Sequence, residues 1–204
     1  MVTPVVRILL LLNVLAFVAE LTHARFLVDW FALWPAGLLQ APVAAPPFWP
    51  WQLLSYAFLH GGLLHLALNM YALWLFGSQL EYLWGGKRFT VYYFACVIGA
   101  ALIQLVVSEV ALVQGAEAYP VLGASGGVFG LLLAFGVLFP ETELLLLFPP
   151  VPIKAKWFVV GYGAIELLAG VTGTLSGVAH FAHLGGMVTG WLLLRHWRGR
   201  VRGR

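Results

Sequence analysis

The stretch Gly123-Ala-Ser-Gly-Gly-Val-Phe-Gly130 opens a strongly apolar run that ends at Pro140. It consists mainly of small residues and carries one hydroxyl group, that of Ser125. Taken alone, a serine before a helix is most simply an N-cap. The pattern G-x-S-x-G also matches a turn found in soluble hydrolases, but that turn follows a strand of a sheet, so the match is accidental here. The role of Ser125 therefore depends on what the rest of the chain places around it.

The composition predicts an integral membrane protein. Of the 204 residues, 62% are hydrophobic and 9% are charged, whereas about 25% of the residues of ordinary soluble domains are charged. Long apolar runs favour helices over the alternating pattern of a membrane barrel. Since one span needs about 20 residues, the chain has room for about six. We therefore expect an all-α, polytopic membrane protein in which residues 1–204 form one domain without a soluble appendage.

Cysteine count and charge exclude several classes of function. A single cysteine, Cys96, excludes disulfides and cysteine-based metal sites within the chain, and its position in an apolar run indicates packing. The net charge of +3 does not indicate nucleic-acid binding, because the basic residues lie between apolar runs and at the C-terminus. The expected environment is the lipid bilayer, with no nucleic-acid partner.

The apolar runs predict six spans, at about residues 4–21, 58–82, 88–107, 125–140, 157–171 and 178–194. The first run is short and carries Arg7 ahead of a leucine-rich core, which also fits a signal peptide. No small-x-small cleavage site follows it, so a retained span is preferred. Residues 22–57 are rich in Trp, Pro and Phe, which is typical of the headgroup region, and they predict a long interfacial loop with short helices.

The distribution of Lys and Arg predicts the orientation of these spans, because both residues gather in cytoplasmic segments. With both termini in the cytoplasm, ten of the eleven basic residues lie on that side, and only Arg25 lies outside. The second, fourth and sixth spans then run from outside to inside. Sparse Lys with abundant Ala, Leu and Arg suggests a bacterial source and hence the plasma membrane.

Polar side chains inside a membrane bundle are costly and tend to mark a function or a structural pairing. The predicted spans contain few of them: His60, His65, Asn69, Ser125, Glu166, His180 and His183. With a rise of about 1.5 Å per residue, counts from the cytoplasmic ends place Ser125, His183 and Asn69 roughly 21, 18 and 18 Å above those ends. In a hydrocarbon layer about 30 Å thick, three helices thus present polar groups at one depth, a little below the outer surface.

Glycine spacing predicts which helices meet. Gly126 and Gly130 share one face of the fourth span, and His183, Gly186 and Gly190 share one face of the sixth. Small residues four apart allow helix backbones to approach closely in lipid. Packing of these two faces would bring Ser125 beside His183.

A serine beside a histidine suggests nucleophilic chemistry, because imidazole can accept the hydroxyl proton near neutral pH. No Asp or Glu occurs in the fourth or sixth span, so the expected unit is a Ser-His dyad without a third member. The first backbone N–H groups of the fourth span would stabilise a negative oxygen. Asn69 and His65 would add side-chain donors, and Gly123 is assigned to the same oxyanion and substrate-binding side.

Several of these residues have simpler alternatives. His65 and Asn69 could only form hydrogen bonds between helices. The pair His180 and His183 is a weak metal signal without acidic or cysteine partners, and no metal site is assigned. His60 is interpreted as a structural histidine that anchors the first loop. Glu166, placed at about mid-membrane, is interpreted as a protonated or hydrogen-bonded packing partner, with a proton-relay role as the alternative.

The motifs together resemble the rhomboid family of intramembrane serine proteases. The matching patterns are His60-x4-His65-x3-Asn69, Gly123-x-Ser125-Gly126 and Ala182-His183-x-Gly185-Gly186, in the second, fourth and sixth spans. Their order and spacing fit the family, and the likeness extends over the six-span core.

The resemblance implies a role for each residue and a class of substrate. Ser125 would be the nucleophile and His183 the general base and acid, while Asn69, His65 and the Ser125 N–H would line the oxyanion hole. No cofactor is implied. The substrates would be single-pass or otherwise helix-anchored membrane proteins, cut at small residues near the outer end of a helix that unwinds easily.

The chain departs from the family at two positions. Trp51-Gln52 stands where the family often has Trp-Arg, which puts the loop-stabilising role of that arginine in doubt. Phe129 stands where many members have a tyrosine that stacks on the catalytic histidine, so the ring is kept and the hydroxyl is lost.

Access to a submerged site requires a moving part. The fifth span lies between loops that contain Pro149, Pro150, Pro152, Gly173 and Gly177. We expect this span to act as a lateral gate, with residues 115–119 as a cap.

Two other functions remain to be compared with proteolysis. A catalytically inactive relative that binds membrane proteins would be expected to lack the serine or the histidine, and both are present. A small proton-linked transporter using Glu166 would spread polar residues through the membrane depth, whereas here they concentrate at one level.

Overall fold

The computed structural model describes residues 2–39, 45–145, 150–174 and 179–202, with side chains in the last helix described as far as Trp197. Within these ranges the chain is mainly helical. The elements are α1 (Pro4–Phe31), α2 (Gln52–Ser55), a 3-10 turn (Tyr56–Phe58), α3 (Leu63–Ala72), a π-helical segment (Leu73–Gly77), α4 (Ser78–Trp84), α5 (Gly86–Val113), α6 (Ser125–Leu138), β1 (Glu143–Leu145), β2 (Pro152–Lys154), α7 (Ala155–Thr172) and α8 (His180–Arg202).

The helices confirm a membrane protein of helical type. By length and composition, α1 and α5 can each cross a membrane, and a third span is possible if Gln52–Phe58 and Leu63–Trp84, which are bent by 100°, count as one. The apolar helix α6 has only 14 residues, about 21 Å of helix. A complete count of six spans stays a prediction.

The first helix is longer than predicted. It continues ten residues beyond the expected end at residue 21 and reaches Phe31, with non-helical dihedral angles at His23. Polar and aromatic residues after position 21 suggested a loop, but the helix continues across this kink. The connection between α1 and α2 therefore begins only at Ala32.

Carboxylates fasten α1 at its N-terminus and at Glu20 to segments that follow it. Near the N-terminus, the N–H groups of Val5 and Val6 each donate to the buried Glu81 carboxylate of α4, at 2.9 Å. These are N–H groups that have no acceptor within the helix. Farther along α1, the Glu20 carboxylate accepts the N–H of His60 at 3.0 Å.

A two-stranded antiparallel ribbon joins α6 to α7 and departs from the all-α expectation. Glu143 pairs with Lys154, and Leu145 pairs with Pro152. The leucine-rich run after residue 143 gave no alternating signal for strands of three residues. At the base of the ribbon, the exposed Glu141 forms ion pairs with Lys154 and Lys156. Hydrogen bonds from the two ammonium groups lower the Glu141 pKa to about 2, and those to Glu141 raise the Lys154 pKa.

Glycine brings the backbones of α6 and α8 into direct contact, as the spacing predicts. A Cβ added at Gly186 would overlap the carbonyl oxygen of Gly126. A Cβ at Gly130 would lie 3.2 Å from the carbonyl oxygen of Gly186 and 2.5 Å from the Cys96 sulfur of α5. Gly190 differs from the prediction, because its missing side chain makes room for the Tyr92 hydroxyl of α5 and not for α6.

The helix α7 packs on the outside of this centre. Most of its large side chains are exposed, including Trp157, Val160, Ile165 and Leu168, while Val159, Glu166 and Ala169 are buried. A Cβ at Gly161 would meet nothing within 4 Å. Of the residues expected to flank this helix, Pro149 and Gly177 lie outside the described residues. Gly173 follows the last residue of α7 in a left-handed conformation, with φ of 69°.

Candidate active site

Ser125 and His183 are in hydrogen-bonding contact. The hydroxyl oxygen of Ser125, the first residue of α6, lies 2.8 Å from Nε2 of His183, which stands in the first turn of α8. The two helix backbones touch close to these residues, at Gly126, which directly follows Ser125, and at Gly186, which lies three residues after His183. The glycine contact therefore determines the distance between the two functional groups.

The other nitrogen of His183 faces a carboxylate that the sequence argument did not place there. Nδ1 of His183 lies 2.9 Å from Oε2 of Glu166 in α7. The same oxygen lies 2.7 Å from Nδ1 of His180. The expectation that His183 has no acidic partner is therefore wrong, because the carboxylate comes from the fifth predicted span and not from the fourth or sixth. Glu166 is hydrogen-bonded, as interpreted from the sequence, and its partners are the two histidines.

An aromatic ring covers His183. The rings of Phe129 and His183 are stacked, with centroids 4.2 Å apart and an angle of 5° between their planes. Phe129 is one turn after Ser125 on α6, so the same helix supplies both groups. Such a stack restricts the rotation of the imidazole ring. The loss of a tyrosine hydroxyl at this position leaves the stack itself intact.

His65 points a hydrogen-bond donor toward Ser125. The backbone N–H of Gly61 donates to Nδ1 of His65 at 3.4 Å, so this nitrogen is an acceptor and Nε2 carries the hydrogen. A Cβ added at Gly123 would lie 2.9 Å from Nε2 of His65 and 3.6 Å from the Ser125 hydroxyl. The absence of that Cβ leaves an open space between the donor and the hydroxyl.

Gly123 and Asn69 contribute to this space in different ways. The N–H of Gly123 donates to the Tyr56 carbonyl at 2.9 Å, so it is not free to bind an oxyanion. The contribution of Gly123 is the lack of a side chain, at a φ of 128° that favours glycine. The side-chain amide of Asn69 donates to the carbonyl of His65 at 2.9 Å, and its second hydrogen remains. The N–H of Ser125, the first of α6, has no acceptor within the helix.

A cavity of about 900 Å³ opens beside these groups. Ser125, His65, Asn69 and His183 contribute polar atoms to its wall, and the rest of the wall is largely apolar. It lies between α3, α6 and α7 and extends from the loop at Tyr119–Leu122 to the β-ribbon. The wall of this cavity therefore includes the Ser125 hydroxyl and its polar neighbours.

Comparison with known proteins identifies the family. The Rhomboid domain matches residues 48–198. The chain belongs to the rhomboid family. Rhomboid protein 1, mitochondrial, of Saccharomyces cerevisiae is 35% identical over 148 residues, which are 69% of this chain and 40% of that protein.

Two further relatives cover a similar part of this rhomboid chain. Presenilin-associated rhomboid-like protein, mitochondrial, of Mus musculus is 34% identical over 142 residues, 68% of this chain and 36% of that protein. RHOMBOID-like protein 4 of Arabidopsis thaliana is 33% identical over 145 residues, 70% of this chain and 33% of that protein. The chain thus spans well under half the length of these relatives. Membership of the family supports a function of the intramembrane-protease type.

Gln52 holds the first loop of the rhomboid domain together. Its side-chain carbonyl accepts the N–H of Trp34 at 3.2 Å, and its amide donates to the carbonyls of Trp30 and Pro47 at 3.3 Å. Gln52 is fully buried. The amide therefore connects the last turn of α1 with two points of the loop and supplies the stabilising contacts that the departure from Trp-Arg placed in doubt.

His60 is buried and lies next to His65, with ring centroids 5.1 Å apart. Neither of its ring nitrogens has a hydrogen-bond partner among the described residues. Its backbone N–H, rather than its ring, makes the contact with Glu20 of α1. His60 thus connects the entry to α3 with the first helix and packs behind His65.

One group of side chains has the donor set of a metal site. Glu166, His180 and His183 are buried, and one potential ligand atom of each lies within 4.8 Å of the others. Two histidine nitrogens and a carboxylate oxygen suit Zn²⁺. The 2.7 and 2.9 Å separations from Oε2 to the two nitrogens are, however, those of hydrogen bonds. In this arrangement the three side chains are therefore hydrogen-bond partners of one another.

Proposed function

We propose that this rhomboid domain is an intramembrane serine endopeptidase with Ser125 as the nucleophile and His183 as the general base and acid. The observation that carries the proposal is the 2.8 Å contact between the Ser125 hydroxyl and Nε2 of His183. Since Nδ1 of His183 faces a carboxylate, it holds the hydrogen and Nε2 is free to accept the serine proton. This is the arrangement that activates a serine.

The first chemical step forms an acyl-enzyme. The Ser125 oxygen attacks the carbonyl carbon of the scissile peptide bond while its proton moves to Nε2 of His183. The negative oxygen that results is stabilised by hydrogen bonds from the Ser125 N–H, the Nε2–H of His65 and the free hydrogen of the Asn69 amide. His183 then gives its proton to the leaving nitrogen, and the peptide bond breaks.

Water completes the reaction. His183 takes a proton from a water molecule, whose oxygen attacks the acyl carbon, and the proton then returns to the Ser125 oxygen as the ester bond breaks. A site near the outer membrane surface, open to the loop at Tyr119, would give water access without exposing the whole cavity. The predicted depth is therefore compatible with hydrolysis.

The substrates in this proposal are membrane-anchored proteins with a single or an accessible transmembrane helix. The apolar wall of the cavity between α3 and α7 suits the side chains of such a helix. Its entry would follow an outward movement of α7, the proposed gate, and of the cap at residues 115–119. The exposure of α7 to the surroundings supports this helix as the moving part.

The proposal includes the predicted membrane placement: six spans, a single domain over residues 1–204, both termini in the cytoplasm and the site toward the outer side. Two of the three relatives described above carry the word mitochondrial in their names, and they give no support for a bacterial plasma membrane. That location stays a prediction from composition, and fractionation of the source cells would test it.

The decisive experiment compares the purified wild-type chain with Ser125→Ala and His183→Ala on a membrane-anchored substrate in detergent or liposomes. We expect cleavage by the wild type only, with all three proteins folded to the same extent. A fluorophosphonate probe should label the wild type and fail to label Ser125→Ala. Cleavage that survives both substitutions would overturn the assignment, and a folded wild type that binds substrate without cleaving it would indicate the inactive binding relative.

A further inference from the structure

The hydrogen bonds of His183 continue beyond the serine through two more buried groups. Oε2 of Glu166 lies between two imidazole nitrogens, at 2.9 Å from Nδ1 of His183 and 2.7 Å from Nδ1 of His180. Nε2 of His180 lies 3.2 Å from the backbone carbonyl oxygen of Thr174. Glu166, His180 and His183 are each less than 10% exposed. The four side chains form one hydrogen-bonded series, which runs from Ser125 through His183 and Glu166 to His180.

The partners determine where the protons are. A carbonyl oxygen only accepts, so Nε2 of His180 carries a hydrogen. His183 must carry its hydrogen on Nδ1 if Nε2 is to accept from Ser125. Between His180 Nδ1 and Glu166 Oε2, a separation of 2.7 Å requires one more hydrogen, since two lone pairs at that distance would repel each other.

This shared proton makes the pair of Glu166 and His180 electrically neutral. The proton lies either on the carboxyl oxygen, with both residues neutral, or on the imidazole, with a negative carboxylate beside a positive ring. Either arrangement avoids an isolated charge in a buried site, which would be costly. A carboxylate that orients a single histidine leaves a net negative charge in the buried site. Here the proton shared with His180 cancels that charge.

We propose that Glu166 and His180 are positioning residues that act together on His183, an assignment that rests on the proposed function. Glu166 holds His183 in the form with hydrogen on Nδ1. When His183 takes the proton of Ser125 and becomes positive, the proton shared by Glu166 and His180 moves toward His180. The carboxylate then bears its full negative charge next to the positive His183. No proton enters or leaves these four side chains in this step.

Because Glu166 is on α7 while Ser125 and His183 are on α6 and α8, this assignment links substrate entry to chemistry. An outward movement of α7 would withdraw the carboxylate from His183. The enzyme would then orient its base fully only after α7 has closed on the substrate.

The test uses Glu166→Gln, which keeps the size of the side chain. The amide has no carboxylate oxygen that could bind both histidines. Loss of one charge-assisted hydrogen bond corresponds to a decrease in kcat of about 10- to 100-fold, with KM little changed. His180→Gln should decrease kcat similarly. The double variant should be no worse than either single variant, because the two residues act as one unit. Gly161→Ala, on the same helix with open space around it, is the matched control and should leave kcat unchanged and not lower the unfolding temperature, because alanine favours a helix over glycine.

A second readout does not depend on activity. Nitrogen-15 NMR of labelled histidine should show His183 with hydrogen on Nδ1 alone in the wild type and a mixture of both neutral forms in Glu166→Gln. Signals would be assigned by substitution of each histidine. This measurement tests the proposal even if no substrate is cleaved. In that case the proposed function fails, and the histidine signals alone decide whether Glu166 orients His183.

Several outcomes would overturn the positioning role. One is a kcat for Glu166→Gln within about twofold of wild type, with unchanged His183 signals. Another is a rise in KM with constant kcat, which would assign Glu166 to substrate binding. Loss of wild-type activity on treatment with EDTA, with recovery on addition of Zn²⁺, would assign the three side chains to a metal and remove the shared proton.

Discussion

Two helices, α6 and α7, pack against α8 in different ways. The contact of α6 with α8 is made by backbone atoms, since a Cβ at Gly186 would overlap the carbonyl of Gly126. The contact of α7 with α8 is made by side chains. For example, a Cβ at Gly163 would lie 3.4 Å from the end of the Met187 side chain, which is an ordinary van der Waals distance. Side chains can change rotamer and backbone atoms cannot. The nucleophile and the base therefore lie on a rigid pair of helices, and the carboxylate of Glu166 lies on an adjustable one.

The largest effect is expected where the rigid contact is disturbed. Gly186→Ala inserts a methyl group where the Gly126 carbonyl stands, and neither helix can yield by a rotamer change. Overpacking of this type destabilises by about 1–3 kcal/mol or more, and it should also separate Ser125 from His183. Thermal unfolding in detergent and substrate cleavage would measure the two effects, with Gly161→Ala as the unaffected control. A Gly186→Ala protein with wild-type stability and activity would show that the two helices are not in backbone contact.

The next effect concerns the adjustable helix. Cysteines introduced at Leu68 of α3 and Tyr162 of α7, which both line the cavity, should be joined by a cleavable thiol crosslinker of suitable length. We expect the crosslink to abolish cleavage of a transmembrane substrate, and reduction to restore it. Labelling of Ser125 by a small fluorophosphonate should persist, because the chemical groups remain in place.

The controls for this experiment are the two single-cysteine variants and the unsubstituted chain, whose Cys96 is buried. All three should keep their activity after treatment with the crosslinker. Full cleavage of the transmembrane substrate by the crosslinked protein would exclude α7 as the gate.

A smaller effect is expected at the loop end of the rigid helix. Gly123→Ala would place a methyl group 2.9 Å from Nε2 of His65, in the space proposed for the oxyanion. We expect kcat to fall by about 100- to 1000-fold, as for the loss of one oxyanion-hole donor, with little change in KM. Gly85→Ala is the matched control, because Gly85 also has a positive φ but nothing within 4 Å of its Cβ position. Equal kcat values for the two variants would show that backbone strain, and not the oxyanion space, is responsible.

The smallest effect is expected at the ribbon that connects the two regions. Hydrogen bonds from Lys154 and Lys156 lower the Glu141 pKa from 4.5 to about 2, so the ion pairs stabilise the folded chain above about pH 4.5 and lose this effect as the pH falls toward 2. Since Glu141 is fully exposed, solvent screens most of the interaction. Glu141→Gln should therefore lower the unfolding temperature slightly at pH 7 and less at pH 3, without changing activity. A large shift at pH 7 would show that the ribbon fixes the separation of α6 and α7.

The sequence was most informative where helical spacing controls geometry. Gly126 and Gly186 predict the approach of α6 to α8, and similar depth counts predict the meeting of Ser125 with His183. Glu166 was missed as a partner because an acid was sought only on the helices that carry the serine and the histidine. The same count of helix rise applied to α7 places Glu166 about 16 Å above Ala155, close to the level of the other polar groups, so the signal was present.

Other features have no comparable signal. Strands of three residues, such as Glu143–Leu145, are too short for an alternating pattern. The π-helical segment Leu73–Gly77 packs at Gly77 against Val6 and Phe89, which local residue type does not predict. The kink of α1 at His23 accompanies local hydrogen bonds, from the Thr22 hydroxyl to the Ala19 carbonyl and between Thr22 and His23, and such side-chain bonds bend helices without a fixed sequence pattern. The role of Gly190 also depended on which neighbour it meets, and α5 supplies that neighbour.

The two carboxylate contacts of α1 have a consequence for biosynthesis. The residue that closes the N-terminus of α1 is Glu81, 75 positions after Val6, and Glu20 receives its N–H from His60, 40 positions later. During translation, both partners are added to the chain after α1 itself. This helix, which precedes the residues matched by the Rhomboid domain, is therefore fastened at Glu20 before its N-terminus can be closed, because Glu81 is synthesised after His60.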